Sequence, residues 1–171
     1  PVPSAAQLEL VLNAVVEATP TSRSVVQWGG AEMRLYRGRL YLAEPLPERG
    51  PATSDPLTPQ SPWCGPLGRL TLTAGAGPGL PESWAAAGLR VGYSTSAERF
   101  HPAGARRPRG LARLLQEARI VPWVRPFIPL LYLDDDLVAV ADLWLSQRAV
   151  ETGQDSPRRY QLSWQCSRPI F

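Results

Sequence analysis

The sequence predicts an α+β fold: a small helix-plus-strands remnant, a proline-rich linker, and a C-terminal β-sandwich-like domain with one main amphipathic helix. Three observations carry this. Short apolar runs of period two recur along the chain, one strong helical period lies among them after Pro108, and six of the eighteen residues from Pro45 to Pro62 are proline. The composition, 44% hydrophobic and 19% charged, belongs to a folding chain and not to a disordered one. With 171 residues the chain suffices for one ordinary domain or two small ones, burying about 70% of the surface its unfolded form exposes.

The first unit, residues 1–44, opens on Ser4-Ala5-Ala6-Gln7, a capping-box pattern, followed by Leu8, Leu12, Val15 and Val16 at helical spacing. That helix is expected to end near Thr19-Pro20. Ser24 to Trp28, Ala31 to Tyr36 and Arg39 to Ala43 are β-like runs broken at Gly29-Gly30 and Arg37-Gly38, a small meander. Residues 45–62 read as an interdomain linker, because proline cannot donate to a sheet or continue a helix.

The second unit, residues 63–171, alternates strands with one helix. Leu70 and Leu72 oppose Arg69 and Thr71, and Tyr160, Leu162, Trp164 and Cys166 oppose Arg159, Gln161, Ser163 and Gln165. Both runs predict half-buried strands. Leu137 to Leu145 is almost continuously apolar and suits one strand buried on both faces. Pro108 can open a helix in which Leu111, Leu114, Leu115 and Ala118 face the core and Arg109, Arg113 and Gln116 face outward. Asp134-Asp135-Asp136 reads as a solvated turn.

Little in the chain suggests chemistry. The sole histidine is His101, and no Gly-x-Ser-x-Gly elbow accompanies it. Gly75-Ala76-Gly77-Pro78-Gly79 resembles a phosphate loop only superficially, since Pro78 lacks an N–H and no Lys-Ser or Lys-Thr follows. A flexible turn is the better reading. Cys64 and Cys166 lack metal-ligand spacing and are too few for a disulfide scaffold. No catalytic residue, metal site or cofactor is expected in this chain.

Charge is more informative. All 18 basic residues are arginine, and eight of them lie in residues 90–125 against only Glu98 and Glu117. GC-rich coding accounts for the missing lysine but not for the clustering. Arginine's planar fork suits phosphate oxygens, so Arg99, Arg106, Arg107, Arg109 and Arg113, around the helix start, form a candidate anion-binding face. A solvated face with an Arg113–Glu117 pair is the plain alternative. Arg125 could bind phosphate or cap the helix C-terminus. No apolar run approaches the roughly 18 residues of a membrane span, and no signal-peptide pattern is present. A cytoplasmic protein without membrane contact is expected, and the abrupt start at Pro1 reads as a chain cut from a longer one.

A series of short motifs then occurs in fixed order: Ala97-Glu98-Arg99-Phe100-His101-Pro102-Ala103-Gly104, Leu111-Ala112-Arg113-Leu114-Leu115-Gln116-Glu117, Val121-Pro122-Trp123-Val124-Arg125 and Pro129-Leu130-Leu131-Tyr132. Upstream, Arg34-Leu35-Tyr36 precedes Leu40. This series resembles the C-terminal domains of bacterial tRNA(Ile)-lysidine synthetases, whose pattern runs roughly G-E-R-x-x-P-x-G, L-K-K-L-x-Q-E, V-P-P-W-x-R, P-L-L-Y. The chain departs from it at Ala97, Ala112 and Val121.

The resemblance implies an enzyme that uses ATP and Mg to attach lysine to the wobble cytidine of the CAU-anticodon tRNA(Ile), changing decoding from AUG to AUA. It places the ATP loop, S-G-G-x-D-S, in an N-terminal PP-loop catalytic domain; that motif does not occur in these residues. It implies a substrate-binding middle domain over 1–44 and an acceptor-stem-binding domain over 63–171, related to a β-sandwich module of phenylalanyl-tRNA synthetase. By this resemblance Arg99, Arg106, Arg107, Arg109, Arg113 and Arg125 are the candidate tRNA contacts, the missing catalytic domain is a further partner, and the chain alone is inactive. The competing reading is a basic protein-interaction module without an RNA role.

Overall fold

The structure is a computed structural model that describes residues 2–16, 25–47, 55–93, 98–153 and 156–171. It divides into two compact units, residues 1–47 and 48–171.

In the first unit, helix α1 (Ala5–Val16) begins with the expected reciprocal cap. The Gln7 amide N–H donates to Ser4 Oγ at 3.3 Å, and the Ser4 N–H donates to Gln7 Oε1 at 2.8 Å. Strands β1 (Val25–Trp28), β2 (Ala31–Tyr36) and β3 (Arg39–Ala43) form the antiparallel meander β1-β2-β3. Its turns fall at Gly29-Gly30 and Arg37-Gly38, all at positive φ, where glycine is unstrained. The buried face of α1 differs from the expectation. Val11 is buried while Leu8 and Leu12 are about half exposed, because the helix turns Val11 toward the strands. The side chains of Val15 and Val16, and the helix end expected near Thr19-Pro20, lie outside the described residues. Glu32 is buried beneath the meander, where Arg34 donates to both its oxygens at 2.9 and 3.0 Å. A buried carboxylate needs such a partner.

The second unit starts inside the proline-rich stretch. Asp55–Leu57 forms strand β4, the edge of a five-stranded sheet, with Leu57 fully buried. Pro56 is tolerated there because an edge strand need not donate on its open side. Strands β5 (Trp63–Gly65), β6 (Gly68–Gly75) and β7 (Leu80–Pro81) and helix α2 (Glu82–Ala87) follow. Then come β8 (Leu89–Tyr93), β9 (Arg99–Phe100), β10 (Arg109–Gly110) and α3 (Leu111–Glu117). The chain closes with β11 (Pro129–Leu133), β12 (Asp136–Val140), β13 (Trp144–Leu145), α4 (Gln147–Gly153) and β14 (Arg159–Cys166). One sheet has the order β13-β12-β11-β8-β4 and the other β5-β6-β14-β7, with β9-β10 a separate ribbon.

The alternations foreseen for β6 and β14 hold in part: Leu70, Leu72 and Trp164 are buried and Arg69, Gln161, Ser163 and Gln165 exposed, while Tyr160, Leu162 and Cys166 on the inward side, and Thr71 and Arg159 on the outward side, are half-buried. Asp134-Asp135 is the exposed turn between β11 and β12. The run 137–145 is not one strand. Ala141 takes a left-handed φ of 44°, the Leu143 N–H closes onto the Val140 carbonyl at 3.0 Å, and Trp144-Leu145 folds back to pair with Val140 and Ala139. Unbroken apolarity reports burial and is silent about where a buried chain reverses. Helices α2 and α4, each a turn or two long, were not anticipated from periodicity.

Candidate nucleic-acid interface

The basic segment is held by a small ribbon. Arg109 and Gly110 pair with Phe100 and Arg99, and the Leu111 N–H donates to the Glu98 carbonyl at 2.9 Å. These bonds keep residues 109–110 extended, so α3 begins at Leu111 and not at Pro108 as its sequence suggested. Within α3 the expected face is correct: Leu111, Leu114 and Leu115 are buried, and Arg113 and Gln116 are exposed.

The six candidate arginines fall into four environments. Arg109 and Arg113 do converge, but on a carboxylate. Arg109 Nη2 donates to both Glu117 oxygens at 2.6 and 2.7 Å, and Arg113 Nε donates at 3.0 Å. Hydrogen bonds from Arg109 and then Arg113 hold the Glu117 carboxyl below its ordinary pKa. Arg106 and Arg107 are exposed on the bend joining β9 to β10 and make no ion pair among the described residues. Arg99, also exposed, donates to the Pro108 carbonyl at 3.0 Å. Arg125 turns its fork inward: Nε and Nη2 both donate to the Ile120 carbonyl, at 2.9 and 2.7 Å, just beyond α3. Ile120 lies beyond the Ala118 cap of α3, so this bond secures the segment after the helix and not one of the helix's own last carbonyls.

A groove of about 410 Å³ joins Arg99, His101 and Pro108 to Ser146 and Arg148. Arg148 escaped sequence reasoning because it lies far along the chain from the arginine cluster. It forms an ion pair with Asp136 and sits 5.4 Å above the Trp84 ring. His101 has a structural place. Its ring meets the Ala105 carbonyl at 2.8 Å, and its own carbonyl accepts the Gln147 N–H at 2.9 Å.

Gly75 ends β6, and residues 76–79 of the glycine run turn back against β14. A Cβ on Gly79 would lie 2.5 Å from the Tyr160 carbonyl oxygen, and one on Gly77 would lie 2.5 Å from Gln161 Nε2. Its backbone is thus committed to packing and does not form a phosphate cradle. Cys64 and Cys166 are free thiols, and burial pushes the Cys166 thiol up. Among the described residues no group of three or more His, Cys, Asp or Glu could hold a metal ion.

The architecture and charge define a class: a β-rich module that displays arginines from short, well-anchored elements. Residues 89–164 match the family model described as the TilS substrate C-terminal domain, and residues 1–41 match that of the TilS substrate binding domain. A tRNA(Ile)-lysidine synthase of Vibrio parahaemolyticus is 32% identical, over 90% of this chain and 35% of the relative. One of Coxiella burnetii is 29% identical over 90% of this chain and 34% of the relative, and one of Alkalilimnicola ehrlichii 31% identical over 85% and 33%. Over these two stretches the chain belongs to the TilS family, as its substrate-binding and C-terminal domains. It spans about a third of the length of the curated relatives it matches.

Proposed function

We propose that this chain is the tRNA-binding part of a tRNA(Ile)-lysidine synthetase. The complete enzyme uses ATP and Mg to ligate lysine to the wobble cytidine of the CAU-anticodon tRNA(Ile), so that AUA is read in place of AUG, in the cytoplasm. The chemistry belongs to a PP-loop catalytic domain supplied by the relatives' additional length, and the present chain is inactive alone. Its second unit holds the acceptor stem.

The observation that carries this reading is the match of both ends of the chain to TilS domains, together with the arginine-lined face around β9, β10 and α3. An A-form stem offers a deep, narrow major groove that side chains read poorly, so phosphate and 2′-OH contacts from arginine suit it best. Arg106 and Arg107 are the most available of the six. Arg99 and Arg148 line one groove, together with Asp136. No helix among the described residues is long and apolar enough to cross a membrane.

Binding of the purified chain to tRNA across a salt series tests the proposal. Counterion release requires log K to fall with log salt in proportion to the phosphates neutralised. Salt-independent binding, or none at any ionic strength, favours instead a module that docks an acidic protein. Lysidine formed by this chain from ATP, lysine and tRNA would overturn the assignment of the chemistry to another domain.

A further inference from the structure

Beside the basic groove lies a second depression whose chemistry differs. A cavity of about 200 Å³ opens between the two sheets of the second unit, at the edge strand β13. Pro78 and Gly79 make one wall. Asp142 and Trp144 make the other, and Gln161 lies on β14 between them. Its volume is below the roughly 300–1,000 Å³ of pockets that enclose a drug-sized ligand. It accommodates a single planar ring system.

Three features show that the walls are held in place. The loop carrying Pro78 is pressed against β14, since a Cβ on Gly79 would meet the Tyr160 backbone carbonyl at 2.5 Å. The opposite wall turns on Ala141, at φ 44°, whose N–H donates to the Pro129 carbonyl at 2.8 Å. Asp142 Oδ2 accepts the Trp164 backbone N–H at 3.0 Å, which fixes the carboxylate. Its other oxygen takes no hydrogen bond from the described residues.

We propose that this cavity receives one unpaired nucleobase bearing an exocyclic amino group, from an RNA whose backbone runs in the groove lined by Arg99 and Arg148. The inference rests on the RNA-binding reading above and names the part of the RNA this second site takes. An indole wall offers a stacking face. A carboxylate can only accept, so the bound edge must donate, as the amino groups of adenine, cytosine and guanine do; uracil offers only N3–H, flanked by two carbonyl oxygens that the carboxylate repels. The same negative charge repels phosphate, so the base enters and the backbone stays outside. Across β13, Ser146 follows Leu145 in the chain and Arg148 comes two residues later, and both line the groove that holds Arg99. A nucleotide spanning the strand would thus meet carboxylate and indole at its base and, at its phosphate, the Arg99 guanidinium and that of Arg148, which is shared with Asp136.

The test compares one RNA hairpin, blunt or extended by a short unpaired 3′ tail of adenosine, cytidine or uridine, by fluorescence anisotropy at fixed salt. An adenosine or cytidine tail should tighten binding by about five-fold or more over the blunt stem, the scale of one stacked base, and a uridine tail by clearly less. Trp144→Leu and Asp142→Asn should abolish that gain while leaving affinity for the blunt stem unchanged, and Trp144→Phe should keep most of it. Thermal melts identify a variant that fails to fold; the comparison of adenosine, cytidine and uridine tails on the unaltered chain then decides alone. Equal affinity for blunt and tailed stems, or a gain indifferent to the base and surviving both substitutions, overturns this proposal and leaves stem binding intact. Absence of binding to any of these RNAs instead sinks the RNA-binding reading, and this inference with it.

Discussion

The Tyr132 hydroxyl, on β11, donates to the Glu98 carboxylate that precedes β9, joining two segments 34 residues apart in the chain. Glu98 also anchors α3, through its carbonyl and the Leu111 N–H. Two of the short motifs that carry the family resemblance, the Glu-Arg pair and the Pro-Leu-Leu-Tyr run, are thus the two halves of one contact. The contact ties the basic ribbon to the five-stranded sheet.

Tyr132→Phe should destabilise the second unit by about 1–3 kcal/mol, the cost of leaving a largely buried polar partner unsatisfied. Glu98 Oε2 is already buried without a hydrogen bond, so the loss falls on a group with no alternative. Burial, and then the Glu98 carboxylate, raise the Tyr132 hydroxyl well above the ordinary tyrosine value of 10.0. The fold favours the protonated phenol, so this contribution is complete below about pH 10 and declines as pH rises beyond it. Denaturant melts between about pH 8 and pH 11 should show the unaltered chain losing stability more steeply than Tyr132→Phe. Parallel curves would mean that this contact contributes nothing.

Glu117→Gln should strengthen tRNA binding several-fold, because it removes the carboxylate that now occupies Arg109 and Arg113. The salt slope should steepen by roughly 0.7–0.9 for each additional phosphate that the freed guanidinium groups neutralise. Since Arg109 and Arg113 lower the Glu117 pKa from its usual 4.5, the ion pairs are whole above that value and break as pH falls through the lowered one. Titrating tRNA into both proteins at neutral pH is sufficient. A weaker complex for Glu117→Gln would show that the carboxylate orients the arginines for phosphate and does not compete with it.

Arg106→Ala and Arg107→Ala should weaken tRNA binding by similar factors whatever the stem sequence, while changing stability by less than about 0.5 kcal/mol. Both side chains are exposed and make no ion pair among the described residues. Arg125→Ala should behave in the opposite way, with lost stability and little change in salt slope, because its fork is spent on the Ile120 carbonyl. Paired measurements of melting and salt-dependent affinity separate the two outcomes.

Leu114→Ala should cost about 2–5 kcal/mol through the cavity it leaves under α3. Leu114 is only 7% exposed and faces the core beside Leu111 and Leu115. Calorimetry reads this directly, and a cost below about 1 kcal/mol would show that α3 packs loosely.

What the sequence determined by itself is local. Ser4 and Gln7 are three residues apart, so their reciprocal cap was legible. So were the inward leucines of α3 and, in part, the alternations of β6 and β14, because helix and strand periods relate residues only a few positions apart. The arginine cluster was equally visible as composition. Tertiary structure alone decided which of those charges is available. The Arg109 guanidinium meets Glu117 eight residues later, Arg125 turns to the Ile120 carbonyl, and Arg148 joins Arg99 in one groove only because β12 and β13 fold back at Ala141. Periodicity placed each side chain on a face of its own helix or strand. The availability of a guanidinium depends on carboxylates and carbonyls brought near it through space, and no period of 2 or 3.6 residues records that distance.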